Sequence, residues 1–155
     1  MFRKTLVPAT IIALALPHIG GAQDLAQISR AGPLEDIYLE VTKNDDDTFS
    51  VSQTEFNLSV DGYYRLNFVC PDEDLDDYSG FHFESTPLLS NAHLRVISVG
   101  DQEIYMQGLT FRALQCDEEG AIRFSFHPVR TGTYEFLVRD HAEPPNEITG
   151  NFIVE

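Results

Sequence analysis

The sequence predicts an all-β domain, two antiparallel sheets packed face to face as a sandwich. Three observations carry this expectation. Short segments alternate apolar and polar side chains with a period of two, as strands buried on one face do. Turn signals separate them, at Asp61-Gly62, Val99-Gly100-Asp101, Glu119-Gly120 and Thr131-Gly132. No window carries a convincing apolar stripe at helical spacing, and this many short strands can bury their apolar faces only against a second sheet.

The elements follow in order. In Glu35–Lys43, Ile37, Leu39 and Val41 share one face, and Tyr38, Glu40 and Thr42 the other. In 63–70, Tyr64, Leu66, Phe68 and Cys70 alternate with Tyr63, Arg65, Asn67 and Val69. Ile122, Phe124 and Phe126 form the apolar row of the next clear strand, with Arg123, Ser125 and His127 opposite. Tyr134, Phe136 and Val138 form another row, and Phe152 and Val154 face inward in the closing segment ITGNFIVE. Weaker strand signals cover 49–51, 55–60, 93–99, 103–107 and 110–115. There are no internal repeats and no linker, so one domain is expected over residues 35–155, after a short polar lead-in at 23–34.

Residues 1–22, MFRKTLVPATIIALALPHIGGA, read as a secretory signal peptide. Arg3 and Lys4 supply the positive start, Leu6 to Leu16 the apolar stretch, and Gly20-Gly21-Ala22 the small residues of a cleavage site after Ala22. A membrane anchor would need ~20 apolar residues, about twice what is here. The expected location is therefore the periplasm or the secreted medium, with no membrane span after signal cleavage. No Cys lies near the cleavage site to accept a lipid.

Charge narrows the partners. The chain carries 10 Lys and Arg against 25 Asp and Glu, and removal of residues 1–22 leaves 8 basic residues, a net charge of −17. Such an acidic protein is no nucleic-acid reader, because that affinity comes from Lys and Arg on phosphates. Docking on anionic lipid is disfavoured on the same ground. Three acidic runs, 44–47, 72–77 and 117–119, read as solvated turns that keep the protein soluble. The run from Asp72 fails the EF-hand spacing, with Asp77 where Gly is needed and Phe83 where Glu is needed.

Chemistry-bearing motifs are few. There is no GxSxG, HExxH, P-loop or GxGxxG, and no catalytic group can be named, so the expectation is a protein that is not an enzyme. Cys70 and Cys116 are an even pair in an exported chain, which suggests one disulfide, with thiolate metal ligation as the competing reading. Four histidines remain beyond the signal: His82, His93, His127 and His141. His127 lies on the polar face before Pro128 and reads as a surface histidine, and Met106 reads as core.

Two segments carry a family resemblance. Residues 49–66, FSVSQTEFNLSVDGYYRL, and residues from Gly120, GAIRFSFHPVRTGTYEFLV followed by ITGNFIVE, resemble the cupredoxins, the small copper sandwich proteins. The YYRL and HPVRTGTYEF segments are similar to a group of exported bacterial cupredoxin-like proteins described as copper-binding. The resemblance covers residues 35–155 and implies a Greek-key sandwich with copper as the cofactor. A blue-copper site needs two His, a Cys thiolate and a weak Met. The family's Cys falls six residues after the Gly of the turn, which is Val138 here, and no Met follows in RDHAEPPNEI. His82 and His141 match the two imidazole positions, so the resemblance implies a copper site that is at most non-blue, with Asp140 or Glu143 as oxygen donors. It also places Cys70 and Cys116 at neighbouring strand ends of one pole, paired when oxidised or joining a histidine on Cu(I) when reduced. The function expected is binding or handling of copper. The alternative is a metal-free interaction module that binds another cell-envelope protein.

Overall fold

The computed structural model describes residues 33–71, 80–100, 102–105, 110–116 and 119–155. The expected signal peptide and nearly all of the lead-in, the acidic run at 72–77, most of the run at 117–119, and Met106 lie outside these residues.

Eleven strands and one short helix are described. They are β1 (Glu35–Lys43), β2 (Phe49–Val51), β3 (Glu55–Leu58), β4 (Tyr64–Cys70), β5 (Phe81–Glu84), α1 (Thr86–Leu89), β6 (Ala92–Val99), β7 (Gln102–Tyr105), β8 (Ala113–Cys116), β9 (Gly120–Pro128), β10 (Gly132–Asp140) and β11 (Glu147–Val154). Sheet I has the order β2-β1-β4-β9-β6-β7, and sheet II the order β3-β11-β10-β5-β8. The chain passes repeatedly from one sheet to the other, as a Greek-key sandwich requires.

The expected strand faces hold. Leu39, Leu66, Phe68, Phe124, Phe126 and Phe152 are fully buried, and Tyr38 is exposed on the outer face. Alternation puts every second side chain on the inner face, and the two inner faces meet in an aromatic core. Its rings form a continuous chain. Phe56 stacks on Phe152 at 5.0 Å between centroids, and Phe152 meets Phe136 at 5.2 Å. Phe83 sits among Phe136, Phe68 and Phe124 at 6.0, 5.7 and 6.3 Å. Rings from both sheets thus interlock, adding edge and stacking geometry to the burial of apolar area.

Three features differ from the sequence reading. Two pairings are parallel rather than antiparallel, β1 with β4 and β3 with β11. Between β1 and β4 the chain crosses into sheet II to make β3, and it re-enters sheet I at the end where β1 began, with Glu35 N–H donating to the Tyr63 carbonyl at 2.9 Å. Strand β5 was not expected: Phe81 and Phe83 alternate over only four residues. Helix α1 is one turn with Pro87 in its first turn, and it buries Leu88 and Leu89. It is too short to show a periodic stripe.

Local chemistry fixes the frame. The Tyr134 hydroxyl donates to the Arg130 carbonyl at 2.9 Å, tying the Thr131-Gly132 turn to the first residue of the inward row of β10. This is the corner found in sandwich folds. On the outer face of sheet I, Arg65 donates twice to the Asp36 carboxylate at 2.6 and 2.7 Å. Asn67 is buried beneath this pair and donates to Asp36 at 2.9 Å and to the Ile37 carbonyl at 3.2 Å. A buried amide kept in this way avoids the cost of an unmet hydrogen bond.

Candidate functional site

Strand β5 positions the first candidate ligand. It lies between β10 and β8, with Phe81 and Phe83 in the core and His82 and Glu84 on the outer face of sheet II. His82 faces Arg139 on one side and Gln115 on the other. Its Nε2 is buried and finds no hydrogen-bond partner among the described residues. The Glu84 carboxylate stands 4.0 Å away, too far for a hydrogen bond, and is itself 3.7 Å from Arg112. Burial, and then the Arg139 guanidinium, push the His82 pKa below its ordinary value, and Glu84 only partly offsets them. The charges of His141 and Arg112 act in the same direction as Arg139. His82 is therefore held as the neutral imidazole, the form that ligates metals.

His141 follows the end of β10 and is half-buried. It is close enough for its charge to be felt at His82. The loop around it is organised by Asp140, whose carboxylate accepts from the Ala142 N–H at 3.1 Å, the Asn146 N–H at 2.8 Å and the Asn146 side chain at 2.6 Å. Asp140 or Glu143 was expected as an oxygen donor to a metal; of the two, Asp140 shapes its own loop through these bonds. Glu143 is exposed in the same loop, before a cis bond to Pro144. Among the described residues, no group of three or more His, Cys, Asp or Glu side chains converges to hold an ion.

Cys70 and Cys116 form a disulfide, with Cα atoms 6.4 Å apart, inside the usual range. Cys70 ends β4 in sheet I and Cys116 ends β8 in sheet II, so the bond clips the two sheets together at one pole. Both cysteines are buried between the sheets. Cys116 lies on the inner row of β8 with Leu114, while Gln115, the register partner of His82, faces outward. The sulfurs and His82 thus point to opposite faces of sheet II, so the Cu(I) arrangement joining a cysteine to His82 does not fit this fold. Val138, at the family's thiolate position, is fully buried beside Phe83. The set of residues present does not fit a blue-copper centre.

The sandwich order, the tyrosine corner and the closing strand pair define a cupredoxin-like fold. No protein-family profile matches the chain, and no curated protein is similar enough in sequence to count as a relative. Among solved structures, a multicopper oxidase superposes over 78% of this chain at 11% identity with a TM-score of 0.50. This chain spans 44% of the length of that oxidase. Auracyanin B aligns over 78% of this chain and 88% of its own, at 14% identity and a TM-score of 0.44. A multicopper oxidase from the hyperthermophile Aquifex aeolicus covers 79% of this chain and 30% of its own, at 8% identity and a TM-score of 0.47. At such identities the likeness concerns the fold alone.

Proposed function

We propose that this chain is an exported cupredoxin-like protein that binds copper at a non-blue, nitrogen- and oxygen-ligated site anchored on His82. The observation that carries the reading is the buried Nε2 of His82, which has no hydrogen-bond partner among the described residues. A buried ring nitrogen without a partner costs free energy unless something occupies its lone pair or takes its proton. Imidazole is a borderline ligand that suits copper. His141 is the second imidazole within electrostatic reach, and the Glu84 carboxylate stands 4.0 Å from His82. Arg139 and Arg112 oppose a cation at this place, so the site is a weak one, suited to passing an ion on rather than storing it.

A second reading is a metal-free module that binds another cell-envelope protein. It is favoured by Val138 packed into the core where a thiolate would be needed, and by the disulfide that occupies both sulfurs. The two readings separate in one experiment. Copper(II) titration of the purified, exported protein should give a weakly coloured complex with no intense thiolate-to-copper band. His82→Ala and His141→Ala should each weaken it. A strong blue absorption would overturn the assignment of Val138, and an unchanged titration in the His82→Ala variant would sink the site. No copper binding at all would favour the interaction module.

A further inference from the structure

We propose a second metal site, on the opposite face of the sandwich, in which His93 and His127 chelate a divalent borderline ion such as Zn(II). His93 on β6 and His127 on β9 are direct register partners across an antiparallel pair. Their neighbours Leu94 and Phe126 are also partners and point into the core. Both imidazoles therefore project from the outer face of sheet I. The adjacent hydrogen bond from Val129 N–H to the Asn91 carbonyl, 2.9 Å, sets the alternation so that His93 and His127 form a hydrogen-bonded pair. Directly opposite residues have Cβ atoms about 4.5–5.5 Å apart. Two nitrogens bound to one tetrahedral zinc lie roughly 3.3 Å apart, given Zn–N bonds of about 2.0–2.1 Å. The His127 ring is held on the β4 side of β9, so rotation of the His93 side chain is what closes the gap.

His127 lies on the outer face, as the sequence suggested, but it is half-buried and held by its neighbours. Its Nδ1 lies 3.0 Å from the Gly62 carbonyl oxygen. A carbonyl only accepts, so Nδ1 carries the hydrogen, and the neutral ring keeps its lone pair on Nε2. Its ring stacks on Tyr63 with centroids 4.4 Å apart and planes 15° apart. The Tyr63 hydroxyl is anchored in turn on Ser125, 3.2 Å away. An imidazole held by a backbone carbonyl at one nitrogen and free at the other is the arrangement found behind metal-ligating histidines. His93 is exposed and free to swing toward it. These residues are distinct from His82 and His141, so this site stands or falls separately from the copper reading.

The test is Zn(II) titration of the intact, oxidised protein, followed by calorimetry and by NMR of the imidazole signals. Zn(II) should shift the rings of both His93 and His127. His93→Ala and His127→Ala should each weaken binding at least about tenfold, since losing even an outer-sphere partner of a ligand costs 10–100-fold. His82→Ala/His141→Ala should leave these shifts in place. The exposed His93 can be removed without disturbing the fold, so its variant remains informative if His127→Ala fails to fold. Unchanged affinity in His93→Ala, or no Zn(II)-dependent shift at these two rings, would overturn the proposal.

Discussion

Replacing both cysteines by alanine tests the clip between the sheets. The disulfide joins residues 46 apart in sequence. The chain-entropy relation for a loop of that length gives about 13 cal/mol/K, or roughly 4 kcal/mol at 25 °C. Single domains have a net stability of only about 5–15 kcal/mol, so the loss is a large share of the total. It corresponds to a fall in Tm on the order of 10–15 °C for a domain of this size. The loss should also be felt unevenly. Strand β8 lies at the edge of sheet II beside β5, so without the bond it loses its covalent clip to sheet I. Urea unfolding of Cys70→Ala/Cys116→Ala against the parent measures the total, and hydrogen exchange shows where protection is lost first. A difference below about 1 kcal/mol would refute the argument from loop closure. Two alkylatable thiols in the unreduced parent protein would refute the bond itself.

Two further predictions concern packing and pH. Gly150 faces Phe136 across the β10–β11 pair, and a methyl added there would overlap the Phe136 ring and the Thr54 carbonyl oxygen. That carbonyl accepts the Asn151 N–H at 2.8 Å, so it cannot move without loosening edge strand β3; Gly150→Ala should cost roughly 3 kcal/mol in denaturant unfolding, and a cost under about 0.5 kcal/mol would show that the strands yield freely. Asp36 has its pKa lowered, first by the hydrogen bond from Arg65, against some desolvation. A depressed carboxylate pKa adds stability that is present above the unfolded value near 3.8 and is lost as pH falls through the lower folded value. Because side-chain exposure of the pair is 38% and 30%, solvent screening limits the gain to about 1 kcal/mol or less. Asp36→Asn should remove that part of the acid limb, and parallel stability curves for variant and parent between neutral and strongly acid pH would contradict it.

Much of the strand content was legible in the residues because alternation is a local property. Leu39, Leu66, Phe124 and Phe152 announce their inward faces by their neighbours' polarity alone, and the structure buries them as expected. Strand β5 escaped because two aromatic positions, Phe81 and Phe83, are too short a run to separate from a loop. Helix α1 escaped because its one turn carries no period. The candidate site was legible only in part. His82 was singled out by resemblance, yet nothing near it in sequence indicates that Arg139 stands across from it or that its Nε2 is buried. Asp140 looked like a spare carboxylate, and only the folded loop shows its oxygens already engaged by Ala142 and Asn146.

By itself the sequence determined most of the segments that become strands, which face of those turns inward, and that position 138 offers no sulfur. These follow from side-chain size and polarity at single positions, and from a period of two that needs no distant partner. The tertiary structure alone decided that β1 runs parallel to β4, that His93 stands opposite His127, and that the expected Cys70–Cys116 bond ties one sheet to the other. Each joins residues more than two dozen positions apart. Which of many such pairs forms depends on burying all the aromatic rows at once, a condition on the whole chain that no local pattern contains.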